Sequence, residues 1–89
     1  ATCISLNQVV AHGIPDGSVL RDGDLVNIDV SAELDGYFAD TGASFVVGQA
    51  SPAQQRLLDA TREARDAAIA QLRAGDRLNG IGRTIQTVA

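Results

Sequence analysis

The chain has 89 residues, 45% of them hydrophobic and 20% charged, with a net charge of −4; this allows one small domain and excludes a disordered composition. All seven positive charges are arginines scattered along the sequence, so no basic stripe offers itself to a phosphate backbone and nucleic acid is not an expected partner. The single cysteine, Cys3, forms no internal disulfide, no apolar run approaches the roughly 20 residues of a membrane span, and no charged-then-apolar leader opens the chain. A cytoplasmic protein without a membrane partner is the default.

Residues 1–12, "ATCISLNQVVAH", alternate apolar and polar positions and suit strand or extended backbone. Residues 13–23, "GIPDGSVLRDG", are rich in Gly, Pro and Asp and read as a loop. Residues 24–47 read as two strands joined by Asp35-Gly36. That dipeptide suits a two-residue type I′ turn, because both central positions need positive φ. With those two residues as the turn, Leu34 faces Tyr37, Ser31 faces Asp40 and Asp29 faces Gly42.

Side chains alternate between faces along a strand. Asp29, Ser31, Glu33, Phe38, Asp40, Gly42 and Ser44 therefore share one face. Asp29 and Asp40 become diagonal neighbours, with backbones about 7–8 Å apart. Two carboxylates so placed repel, and the flanking residues offer no Lys or Arg. A divalent metal ion would supply the missing charge, and oxygen ligands suit Mn, Fe(II) or Co(II). The same pattern also fits an ordinary hairpin with its polar face in water.

Beyond residue 50 the period becomes helical. Ser51 predicts an N-cap, Pro52 the first helical position, and Gln54 a capping box with Ser51. Leu57, Thr61, Ala64, Ala68 and Leu72 make one apolar stripe, with Leu58 and Ile69 beside it. Gly75 is the expected stop. A second helix is expected from about Asn79, with Ile81, Ile85 and Val88 on one face. The sequence begins without Met in strand-like residues and stops inside this second pattern. Both ends read as cut, and the low aromatic content, 3%, suggests part of a larger core.

His12 is the only histidine. It stands before "GIP", at a strand end or loop mouth, where an imidazole serves as donor, proton acceptor or metal ligand; a lone histidine is as readily structural. Cys3 as a nucleophile would need His12 beside it and an activated thiolate.

The motifs "S-x-N-x-V-V-x-H-G-I-P", "D-G-D-x-V-N-I-D-V" and "D-G-Y-x-A-D-T", in this order and spacing, resemble the N-terminal catalytic half of bacterial type I methionine aminopeptidases. The likeness continues through "LNGIGRTIQ" and covers nearly the whole chain. The resemblance implies an α+β fold: an antiparallel sheet with a metal-ligand hairpin and two helices packed on one face, half of a pita-bread fold. Residues 1–89 would be a single fragment, the N-terminal half of that domain. The resemblance implies removal of N-terminal methionine from nascent proteins, near the ribosome, by metal-assisted hydrolysis. It implies two divalent metal ions (Co, Mn, Fe or Zn), with Asp29 and Asp40 as ligands. His12 would be a catalytic, substrate-contacting residue that is not a ligand, and Cys3 would line the pocket for the methionine side chain.

The family's remaining ligands, one His and two Glu, belong to its C-terminal half. This chain has no second His, and neither Glu33 nor Glu63 sits in a matching motif. That missing half would be needed to complete the site. "ADTGAS" departs from the family's commoner "GDTS" without losing the aspartate, and Ala11 stands where Cys is frequent. Two alternatives accompany this reading: a proline-specific aminopeptidase or prolidase of the same fold, and a non-catalytic pita-bread binding module.

Overall fold

The computed structural model describes all 89 residues, in the order β1 (Thr2–Leu6), β2 (Leu25–Leu34), β3 (Tyr37–Val46), α1 (Pro52–Gln71) and α2 (Asn79–Val88). The chain forms two compact units, Ala1–Gln54 and Gln55–Ala89. The first holds the sheet and the first residues of α1; the second holds the rest of α1 and all of α2. No helix is long and apolar enough to cross a membrane.

The sheet of the first unit is antiparallel, in the order β1-β2-β3. Asp35 (φ 53°) and Gly36 (φ 83°) supply the two positive φ angles of the expected hairpin turn. The Glu33 carboxylate also accepts the Gly36 N–H. The pairing is the expected one throughout: Leu34 faces Tyr37, Ser31 faces Asp40, Asp29 faces Gly42 and Leu25 faces Val46. Two further bonds extend the ladder past the strand ends, from Val47 N–H to Asp24 C=O (2.9 Å) and from Gly23 N–H to Val47 C=O (2.8 Å).

β1 is shorter than the alternation over residues 1–12 suggests, because Asn7 turns the chain. It takes φ 49°, and its side chain clamps the start of β2. Asn7 Nδ2 donates to Asp24 Oδ1 (3.0 Å), and Asn7 Oδ1 accepts the Leu25 N–H (2.9 Å). That bond from Asn7, ahead of one from the Arg21 backbone, holds the Asp24 carboxyl below its usual range. Residues 13–23 carry no helix or strand, as expected, and β2 begins at Leu25, one residue after the expected Asp24. Val26 is fully buried and forms the centre of this unit.

The start of α1 follows the capping-box expectation in both directions. Gln54 N–H donates to Ser51 Oγ (3.2 Å), and Ser51 N–H donates to Gln54 Oε1 (2.9 Å). In the second unit, α1 buries Leu58, Ala64 and Ala68, whereas Leu57, Ile69 and Leu72 of the expected apolar stripe are exposed. The stripe is therefore narrower than its apolar residues suggest, and its buried line is mostly alanine. α1 ends at Gln71, four residues before Gly75. The intervening turn is closed by Arg73 N–H to Asp76 Oδ2 (2.8 Å) and Asp76 N–H to Arg73 C=O (3.1 Å), and Gly75 supplies φ +90° within it. α2 starts at Asn79, as expected.

A Cβ on Gly36 would meet nothing within 4 Å, so the cost of a side chain there is the left-handed backbone alone. Gly36→Ala should destabilise the protein by about 1–2 kcal/mol, read as a lower urea midpoint at unchanged slope. An unchanged midpoint would mean that the turn does not constrain the hairpin.

Candidate metal centre

The hairpin register places Asp29 and Asp40 on one face, since Asp29 is two residues along β2 from Ser31, the partner of Asp40. Gly42, directly opposite Asp29, leaves that face bare between them. A Cβ there would lie 3.5 Å from Asp29 Oδ1, so the Asp29 carboxylate leans over the glycine. Ser31 Oγ donates to Asp40 Oδ2 at 2.9 Å and restricts how that carboxylate turns. Asn27, on the same face, donates to Ser44 Oγ at 2.9 Å. The face is open rather than enclosed: Asp29 is half-buried and Asp40 exposed.

The two carboxyls interact directly. A hydrogen bond shared with Asp40, then the negative charge of Asp40, raise the Asp29 carboxyl above its usual range, with a smaller desolvation effect in the same direction. The charge of His12 acts in the opposite sense, which brings the histidine into the field of the pair. Neither carboxylate has an arginine partner; the ion pairs of the chain, Arg62 with Asp59 and Arg65 with Asp66, are both on α1. Two oxygen donors in mutual repulsion without a cation form a donor set that fits a hard or borderline divalent ion. They do not complete one: no group of three or more His, Cys, Asp or Glu side chains is arranged to hold a metal.

His12 lies in the loop after β1, exposed, with φ 60°. Cys3 pairs directly with Asp29 across β1 and β2, so the thiol shares the carboxylate face and is half-buried. The register thus brings Cys3, Asp29 and Asp40 to one face, and His12, in the loop after β1, acts on Asp29 through its charge. Sequence reasoning missed the roles of Ser31 and Gly42 around the aspartates, although the register already placed them opposite Asp40 and Asp29. It also missed the backbone supports of His12, which depend on a loop folding back on β1.

The model of metallopeptidase family M24 matches residues 1–89. The chain belongs to metallopeptidase family M24. It is 49% identical over 89 residues to a methionine aminopeptidase of Staphylococcus epidermidis, a match covering 99% of this chain and 36% of that protein. The crystal structure of methionine aminopeptidase from Rickettsia prowazekii superposes with a TM-score of 0.92 at 41% identity, over 98% of this chain and 35% of that one. A prolidase from Pyrococcus furiosus superposes with a TM-score of 0.90 at 24% identity, over 98% of this chain and 26% of that one, a likeness of fold alone. The M24 chain thus has the α+β, pita-bread type of fold expected from its motifs, and it spans about a third of the length of its methionine aminopeptidase relatives.

The raised Asp29 carboxyl has a definite pH signature in this M24 chain. Between its ordinary value and its raised folded value, the folded state binds the extra proton, so metal-free stability falls as pH rises through that window. Asp40→Asn removes the opposing charge. It should bring the Asp29 carboxyl down towards its ordinary range in a carbon-13 NMR titration and flatten the loss of metal-free thermal stability over the same window. An Asp29 titration unmoved by Asp40→Asn would show that the two carboxyls do not interact.

Proposed function

We propose that the protein to which this chain belongs removes N-terminal methionine from peptides of nascent proteins by metal-assisted hydrolysis, with residues 1–89 as the N-terminal half of its catalytic domain. The carrying observation is the placement of Asp29 and Asp40 on one face, within the field of His12, in a chain 49% identical to a methionine aminopeptidase. The likeness to prolidases reaches the fold only and favours no second reading.

In this reading Asp29 and Asp40 hold divalent ions, two of them, drawn from Co, Mn, Fe or Zn. Such ions, when bound, supply a Lewis acid and lower the pKa of water enough for a nucleophile at neutral pH. Ser31 orients the Asp40 carboxylate through its hydroxyl, the kind of outer support that metal ligands need. Gly42 leaves the space over which Asp29 leans. His12 donates a hydrogen bond to the substrate amide or leaving group without binding the ions. Cys3, beside Asp29 on the same face, lines the pocket for the unbranched methionine side chain. The remaining ligands and the general base come from residues outside this chain, and the enzyme acts in the cytoplasm, near the ribosome.

In the full-length protein, Asp29→Ala should lose metal and cleavage of a Met-Ala peptide together; wild-type metal content in that variant would remove Asp29 from the ligand set. His12→Ala should keep most of the metal and turn over about 10²–10³-fold more slowly, the range for loss of one preorganised hydrogen-bond donor. Loss of metal along with activity would make His12 a ligand instead.

The 89-residue chain by itself should bind Mn or Co weakly and release no methionine from Met-Ala, because two carboxylates cannot complete the coordination of two ions. Robust metal-dependent turnover by that chain would overturn the half-site reading.

A further inference from the structure

Ser5 is the one buried polar side chain, at 2% exposed, and the reaction proposed above makes no use of it. It lies in β1 two residues from Cys3. Cys3 faces Asp29 and Ser5 faces Asn27, so Ser5 belongs to the carboxylate face. Its Oγ accepts the Gly13 N–H at 3.0 Å, while the Gly13 C=O accepts the Ile4 N–H at 2.9 Å. Two consecutive residues of β1 thereby grip residue 13 at both ends of its backbone.

The approach is close enough to require glycine. A Cβ on Gly13 would lie 2.1 Å from the Ile4 carbonyl oxygen and 3.0 Å from Ser5 Cα. The amide that Ser5 holds belongs to the peptide plane joining His12 to Gly13. His12 itself has φ +60°, a left-handed conformation that is uncommon outside glycine and persists only when the surroundings enforce it.

We propose that Ser5 is a positioning residue for His12: through the Gly13 amide it locks the peptide plane that follows His12 and so fixes where the imidazole is presented. This rests on the role proposed for His12. Removing the hydroxyl leaves the Gly13 N–H without its acceptor and releases His12 from the left-handed conformation. The metal-binding carboxylates, on β2 and β3, keep their own supports.

The test uses the metal-loaded full-length protein and a Met-Ala peptide, with Ser5→Ala, His12→Ala and the double variant. Ser5→Cys, close to serine in volume but a weaker acceptor, serves as a second variant should alanine impair folding. For Ser5→Ala or Ser5→Cys, kcat should fall about 10–100-fold, the scale of a misplacement near 1 Å. KM and metal content should change little, Tm should fall modestly as the Gly13 N–H loses its acceptor, and hydrogen exchange at the Gly13 amide should accelerate. The double variant should be no slower than His12→Ala, because a residue acting through His12 has nothing left to position.

Multiplicative losses in the double variant, with His12→Ala itself slow, would overturn the inference and leave the role of His12 standing. So would a Ser5 variant that lowers only Tm. Wild-type turnover by His12→Ala would overturn the histidine's role and the positioning of it together.

Discussion

Antiparallel pairing of β2 and β3 across the Asp35-Gly36 turn is the constraint on which the site depends. A register slip by one residue would send every side chain of one strand to the opposite face and separate Asp29 from Asp40. The turn prevents this because a two-residue connection with positive φ at both positions leaves the strands one way to pair. Ladder bonds running past the strand ends to Gly23, Asp24 and Val47 hold the other end of the hairpin. Asp29, a poor strand former, stays extended because β2 pairs with a strand on each side, and Asp40, on β3, is held extended by its pairing with β2.

Convergence of two carboxylates costs the sheet electrostatic free energy, and the structure keeps that repulsion instead of neutralising it. Arginine would have been the simplest remedy, yet both ion pairs of the chain are on α1. Glycine at position 42 and the Ser31 hydroxyl give the carboxylates room and direction without removing their charge. The raised Asp29 carboxyl is the mark of that repulsion. A divalent ion would relieve it, which links the electrostatics of the bare sheet to the chemistry of the M24 family.

The loop carrying His12 is governed by different physics. No periodic ladder holds it. Its anchor is a two-point backbone attachment at Gly13, made possible by the absence of a side chain. Asn7 performs a related task at the base of the loop, where its side-chain amide caps the start of β2. The run from Ser5 to Pro15 thus combines residues of two kinds, those that face the site and those that shape the backbone beneath it.

Local rules were enough for much of this protein. Turn chemistry at Asp35-Gly36 and period-two alternation sufficed for the hairpin register and for the shared face of the aspartates. Reciprocal capping by Ser51 and Gln54 sufficed for the start of α1. These features involve residues close in sequence, where backbone preference and hydrogen-bonding capacity act directly. Other features needed the folded chain. The end of β1 at Asn7 depends on a bond to residues 24 and 25, and the placement of His12 depends on Gly13 reaching Ile4 and Ser5. The exposure of Leu57, Ile69 and Leu72 was equally hidden from an apolar stripe, because periodicity says which residues share a face and burial depends on what that face meets. Tertiary structure decided these points because each turns on an approach between segments distant in sequence, where the room available to a side chain is set by the whole fold.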